Sequence, residues 1–378
     1  MNSISKFVGL DVHKETISVA VAKVDRRDPE SLGTITNTLQ AVSKLVRKLG
    51  PAEQLFFCYE AGPCGYAIYR ELTKLGAKCI VVAPSLVPKS PGDRVKTDRR
   101  DALKLARLLR SGDLEPIWVP DDEQEALRDL SRAREAAQQD LVRKRNQLVL
   151  FLLRLHIHPP EGLNRWTARY EEWLEHLKLT QSVHQLVFAE YRHAVHEAEQ
   201  RVERLEAALA EYSKSGPLAP VIAALQCLRG VGVITSIAVA VEMGDLTRFP
   251  SAKQAMDYVG VVPSEYSSGG RQHRGSITHA GNAHVRYVLV EAAQHYRHQP
   301  NVGRVLAARQ QDQPEPVKQI AWKAQRRLHD KFRRMVGRGK PQQIAVVAVA
   351  RELVGFIWAI AREVALSKTA TDSSARAG

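Results

Sequence analysis

Four acidic side chains in the first third of the chain have types and spacing that suit metal chemistry. Asp11 interrupts the apolar run Phe7-Val8-Gly9-Leu10-Asp11-Val12, and Glu60 closes the run Leu55-Phe56-Phe57-Cys58-Tyr59-Glu60. Asp98 and Asp101 sit three apart in Lys96-Thr97-Asp98-Arg99-Arg100-Asp101-Ala102. Strands in a sheet lie about 4.8 Å apart, so acids on adjacent strands can share one ion. Residues three apart at a helix start lie on one face. Mg²⁺ takes hard oxygen ligands and keeps some of its waters, so a few carboxylates suffice. Two such ions can activate a nucleophile and stabilise the leaving oxygen of a phosphodiester. Taken singly, each acid has a plainer reading: Asp98 as an N-cap, Asp101 as a favourable first-turn charge, Glu60 as a solvated strand end. Asp11 resists that treatment, since an unpartnered acid between Leu10 and Val12 is costly. Together, with Arg94, Lys96, Arg99, Arg100, Lys104 and Arg107 around the last pair, the four point to a metal-dependent phosphoryl-transfer site.

The elements that must hold these acids are readable from hydropathy patterning. Residues 7–12 read as a buried strand and 16–24, alternating apolar with small or polar positions, as a second. A short third strand is expected over 34–38 and a helix over 41–49, ended by Gly50-Pro51. Residues 55–59 form an apolar strand, 65–75 a helix, 78–83 a further strand, and a helix starts at about 98 and runs to 109. Hairpin strands followed by strand–helix alternation imply a layered α/β domain with a mixed sheet.

The middle of the chain changes character. Leu130, Ala137, Leu141, Leu148, Phe151 and Leu155 recur at helical spacing, with Arg134 and Lys144 interrupting the stripe. Tyr191, Val195, Ala198, Val202, Leu205, Leu209 and Tyr212 give a cleaner repeat. Two long helices flanking a connection with Trp166 and Trp173 predict a helical hairpin or a dimerising coiled coil. The pair His156-Ile157-His158 has no acids beside it and reads as a helix end before Pro159-Pro160. The expected domains are therefore 1–118, 119–216 as an oligomerising helical hairpin, 217–366, and a disordered small polar tail, 367–378.

Bulk charge narrows the class of partner. The 378 residues carry 55 Lys+Arg against 41 Asp+Glu, a formal +14. Such an excess suits a polyanion. Membrane insertion is not expected: the most apolar stretch, 344–361, is interrupted by Arg351 and Glu352, and the N-terminus carries no apolar signal core. The four cysteines lack C-x-x-C spacing, which argues against a zinc site. A cytoplasmic, DNA-associated protein is the expectation. Residues 317–340 carry nine Lys/Arg against one acid, Asp330, and include Trp322 and Phe332. That composition suits a phosphate backbone, with Lys323, Arg326 and Arg327 as candidate contacts.

The segments Gly9-Leu10-Asp11-Val12-His13-Lys14, Tyr59-Glu60-Ala61-Gly62 and residues 93–102 resemble the RuvC-like domain of the DEDD insertion-sequence transposases. That family, the insertion-sequence one-ten family, includes Piv-type invertases and bridge-RNA-guided recombinases. Residues 228–293 resemble its C-terminal transposase domain in the order Leu228-Arg229-Gly230-Val231-Gly232, Gly244-Asp245-Leu246, Phe249-Pro250, Gly260-Val261-Val262-Pro263, Ser267-Ser268-Gly269-Gly270, Gly275-Ser276-Ile277-Thr278, Gly281-Asn282 and Arg286. The resemblance implies an RNase H-like (RuvC-like) fold and a C-terminal transposase domain; with the long helical coiled-coil middle read from the stripes, the expected architecture is α/β, then helical, then mainly α. It implies the tetrad Asp11, Glu60, Asp98 and Asp101 on Mg²⁺, two ions with Mn²⁺ as a substitute, and Ser268, or else Ser267, as a nucleophile that joins a DNA strand end.

By the same resemblance, the serine of one subunit would meet the tetrad of another, which needs a homodimer at least and a homotetramer for strand exchange. Double-stranded donor and target DNA and a structured guide RNA are the implied partners. Lys96, Arg99, Arg100, Arg271, Arg274 and Arg286 are further candidate nucleic-acid contacts. Gly230-x-Gly232 has the form of a helix–hairpin–helix turn, whose exposed N–H groups can hold a phosphate; a tight interhelical turn explains it equally well. A water-using, RuvC-like nuclease of branched DNA needs the tetrad and no serine, and is the alternative. A non-catalytic nucleic-acid binder explains the charge and leaves the acids unexplained.

Overall fold

A computed structural model describes residues 4–25, 27–88, 97–266 and 274–375. Two compact units divide the chain, 1–120 and 121–378.

The first unit is built on a five-stranded sheet. Its strands are β1 (Lys6–Val12), β2 (Thr16–Lys23), β3 (Glu30–Thr36), β4 (Leu55–Glu60) and β5 (Lys78–Val82), ordered β3-β2-β1-β4-β5. β1–β2 and β2–β3 pair antiparallel, β1–β4 and β4–β5 parallel, so the sheet is mixed and β1 is its centre. Strand β3 begins earlier than the sequence suggested. It is an exposed edge with no clean apolar alternation, and residues 37–38 instead lead into the next helix, Thr38 being its N-cap. The helices are α1 (Leu39–Leu49), α2 (Ala67–Lys74) and α3 (Asp98–Ser111). One face of the sheet, with Val8, Leu10, Phe57 and Tyr59, packs on Val42, Leu45 and Val46 of α1 and Ile68 and Leu72 of α2. The other carries Cys58 and Val82 against Leu105 and Leu109 of α3.

The second unit opens with α4 (Asp122–Arg154), α5 (Ala168–His176) and α6 (Ser182–Tyr212). Arg134 Nε donates to Glu206 (2.8 Å) and Arg145 Nη2 to Glu199 (2.6 Å), while Arg201 pairs with Asp140. Numbers rise along α4 as they fall along α6, so the two run antiparallel. One charged interruption of the α4 stripe is thereby explained: Arg134 reaches across to α6 instead of entering the core of Ala137, Leu141, Leu148, Phe151, Val195 and Val202. Tyr212, read as the end of the α6 stripe, is 67% exposed. α4 ends at Arg154, and His156 takes a left-handed φ of 56° just before the two prolines.

The remainder is mainly helical. It comprises α7 (Ala219–Leu225), α8 (Val233–Met243), α9 (Ala252–Val259), the short hairpin β6 (Pro263–Glu265) and β7 (Arg274–Ile277), then α10 (Ala283–Ala293), α11 (Arg304–Gln310), α12 (Glu315–Gly337) and α13 (Gln342–Ala375). By length and composition alone α13 could cross a membrane, but half of its apolar window is buried inside the protein. Val349, Leu353, Ile357 and Ile360 sit in one core with residues of α8, α9, α10 and α12. Its Glu352 is matched by Arg327 and Lys331 of α12. The helix continues to Ala375, so the polar stretch from 367 onward extends it, as its alanines allow.

Candidate metal centre

Asp11 meets the first turn of α3 because a glycine lets that helix close on β1. Alternation along β1 puts Val8 and Leu10 on the α1/α2 face, which leaves Gly9 and Asp11 on the α3 face. On β4 the same parity turns Cys58 and Glu60 to α3, and Cys58 Sγ lies 3.6 Å from Leu105 O. One step beyond the last paired position, Leu10↔Tyr59, Asp11 and Glu60 are lateral neighbours. A Cβ on Gly9 would stand 2.3 Å from Ala102 O and 2.5 Å from Ala106 N. Only glycine admits a helix backbone this close, and the approach carries the first turn of α3 to the end of β1.

That first turn holds Asp98 and Asp101. The N-cap is Thr97, whose hydroxyl accepts from Arg100 N (3.4 Å). The capping role read for Asp98 is thus taken by its neighbour. Asp98 and Asp101 lie near enough for their charges to act on Asp11. Burial is the largest influence on Asp11 and raises its pKa above the ordinary 3.8; His13 opposes that rise, and Asp101 and Asp98 add to it. A carboxyl pushed up by burial and by like charges is one that a cation relieves.

Sequence reasoning missed His13. Its Nε2 lies 3.1 Å from Asp11 Oδ2 and 3.4 Å from Asp98 Oδ1. Ligand atoms of Asp11, His13 and Asp98 all fall within 4.8 Å of one another, a set that fits a divalent ion. The signal was present, since His13 follows Asp11 by two residues. Only the turn between β1 and β2 bends it back onto its own strand end.

The serine region is placed only in part. Ser267, Ser268, Arg271 and Lys96 lie outside the described residues. The hairpin that leads to residues 267–273 has a closely packed base: a Cβ on Gly260 would meet Ala280 O at 1.8 Å, and one on Gly281 would meet Tyr258 O at 1.9 Å. Arg286 Nη1 donates to Val259 O (3.0 Å) and Ala280 O (2.9 Å), bracing that base. Arg274 opens β7. Gly230 has φ of 78°, and its missing Cβ lets the turn between α7 and α8 touch Ala292 O, which is the packing expected of a tight interhelical turn. Gly232 caps α8. Arg99 and Arg100 are exposed on the first turn of α3, and Lys323, Arg326 and Arg327 on α12.

Comparison with known families now applies to both units. Residues 8–157 match the model of the DEDD transposase domain of the IS110 type, and residues 222–306 match the transposase model of the IS116/IS110/IS902 family. The transposase y4qE of Sinorhizobium fredii is 43% identical over 94% of this chain and 88% of its own length. The transposase for insertion sequence element IS1533 of Leptospira borgpetersenii is 31% identical over 87% of this chain and 96% of its own. This chain belongs to the IS116/IS110/IS902 transposase family. The pilin gene-inverting protein of Moraxella bovis is a more distant relative, 24% identical over 73% of the chain. Membership brings an RNase H-like fold for the first unit, in keeping with its mixed sheet, DNA as substrate, cutting and rejoining as chemistry, and a divalent metal.

Proposed function

We propose that this insertion-sequence transposase cuts and rejoins DNA through a metal-bound tetrad, Asp11, Glu60, Asp98 and Asp101, working with a serine of the segment 267–268. The observation that supports the reading is the meeting of Asp11 at the end of β1 with Asp98 on the first turn of α3 beside an imidazole, with Asp101 near enough to act on Asp11; Glu60 joins them by its place at the end of β4 next to β1. Bound Mg²⁺, two ions in this reading, would polarise the scissile phosphate. The chain's own groups do the rest. Glu60 at the end of β4 and Asp98 on α3 would hold the ions with Asp11, and the exposed cations Arg99 and Arg100 follow Asp98 on the first turn of α3, where a phosphate would arrive. The serine hydroxyl attacks phosphorus, forming a Ser–O–P bond and releasing one strand hydroxyl; the reverse step, with a new strand hydroxyl, restores the serine.

The same reading makes 1–118 the catalytic domain, 119–216 the oligomerising hairpin and 217–366 the serine domain. A dimer or tetramer supplies tetrad and serine from different subunits, and a structured RNA of the element guides the DNA. The turn at Gly230 and Gly232 serves as a helix–hairpin–helix-like phosphate contact only if its N–H groups face solvent in the complex.

The test is strand cleavage with trapping of the protein–DNA adduct. Asp11→Asn abolishes Mg²⁺-dependent cleavage, by about 10³-fold or more as expected for a lost metal ligand. Of Ser268→Ala and Ser267→Ala, one loses the adduct. If the double serine variant still cuts branched DNA at full rate, water is the nucleophile and the serine role is wrong.

A further inference from the structure

We propose that His13 is itself a ligand of the metal centre and turns its preference from Mg²⁺ toward Mn²⁺. The inference rests on the reading of the tetrad as a metal site. His13 stands in the turn between β1 and β2, and its backbone is fixed from two sides: its N–H donates to Thr16 O (2.9 Å), and Asn37 Nδ2 donates to its carbonyl (2.8 Å). The ring is thereby presented to the acids, and a single atom, Nε2, faces Asp11 Oδ2 and Asp98 Oδ1 together.

Adjacent ligands of an octahedral ion with bonds of about 2.1 Å stand about 3 Å apart. Separations of 3.1 and 3.4 Å are close to that edge length. Two chemistries could put an imidazole here. A protonated ring would neutralise the two acids and compete with a cation; a neutral ring would offer its lone pair to the cation the acids share. They differ in what happens when metal arrives, which makes them separable. A mixed nitrogen and oxygen set is a poorer match for Mg²⁺, which demands oxygens, than for a first-row divalent ion. Mn²⁺ is the first-row ion that also suits carboxylate and water.

The experiment loads the full chain with Mn²⁺ alone and records electron spin-echo modulation, with calorimetric titration of Mn²⁺ and Mg²⁺ in parallel. Wild-type protein is expected to show nitrogen coupling to the bound Mn²⁺. His13→Ala is expected to lose it, with Mn²⁺ affinity down about tenfold and Mg²⁺ affinity changed less than about twofold. Bound Mn²⁺ without nitrogen coupling in the wild type overturns the proposal and needs no variant to do so. So does a His13→Ala protein that binds either ion more tightly, the mark of a ring that only pairs with the acids. Metal binding unchanged by Asp11→Asn overturns something different, the metal centre itself.

Discussion

Two carboxylates, Asp11 half-buried and Glu242 buried, show how surroundings decide what an acid does. Asp11 has its proton affinity raised by burial and by other acids, as a metal ligand waiting for its ion would. Glu242 on α8, 2% exposed, has the opposite fate. Arg132 of α4 holds it with two bonds, Nε–Oε1 at 2.7 Å and Nη2–Oε2 at 2.9 Å, and Asn282 Nδ2 adds a third at 2.6 Å. Burial would raise its pKa, but Arg132, Asn282 and Arg128 outweigh burial and hold it below the ordinary 4.5. A depressed folded value stabilises the protein above pH 4.5 and ceases to do so as pH falls through that value. Glu242→Gln is therefore expected to cost about 2–3 kcal/mol at neutral pH, less than a fully buried pair because Arg132 keeps some water. The difference from wild type should shrink on acidification below 4.5. Denaturant melts at several pH values measure it, and a pH-independent difference would remove the charge argument.

At the scale of elements, the site depends on how closely α3 lies on β1. Gly9→Ala forces its methyl into the backbone at Ala102 and Ala106. Neither is a side chain that can swing away, so α3 shifts. The expected loss is about 1–3 kcal/mol, with cleavage falling further than stability because Asp98 and Asp101 move with the helix. Gly76→Ala, at a glycine with a φ of 86° and open space around it, supplies a control: strain without displacement of the acids, so stability falls and metal-dependent cleavage survives. Equal loss of cleavage in both variants would mean the glycine matters only for folding.

Gly9 also shows what the sequence could and could not disclose. Strands 1, 2, 4 and 5 and helix α3 were legible because their apolar residues alternate or recur at helical spacing. The acids were legible because a charge inside or at the end of such a run is conspicuous. β3 was misplaced because an exposed edge needs no apolar pattern. His13 was missed because what brings it to Asp11 is the backbone path of a tight turn, and Thr97's capping role because the aspartate beside it is the more favoured cap. The long helices were plain from their repeats; that they run antiparallel within one chain rests on cross-pairs such as Arg145–Glu199.

For the molecule as a whole the question is where an excess of 14 positive charges acts. The outward face of α12 concentrates it. Val317, Ala321, Ala324, Leu328 and Phe332 are buried in the core, while Lys323, Arg326, Arg327, Arg333 and Arg334 are exposed, with Trp322 42% exposed among them. Arg327 is partly committed, its Nε donating to Glu352 at 2.9 Å, so Lys323, Arg326 and Arg333 are the better test. None is in the core, and replacing all three by alanine should leave the melting temperature within about 2 °C. If this face lies on a duplex backbone, each lost phosphate contact lowers the slope of log affinity against log salt by about 0.9, so the triple variant should lose up to about 3. The loss should be equal for cognate and unrelated DNA, because phosphates carry no sequence. Filter binding across a salt series reads both quantities. An unchanged slope would mean the face is merely solvated; the cations beside the acids, Arg99 and Arg100, would then be the next to test, and substitution there should lower the slope and cleavage together.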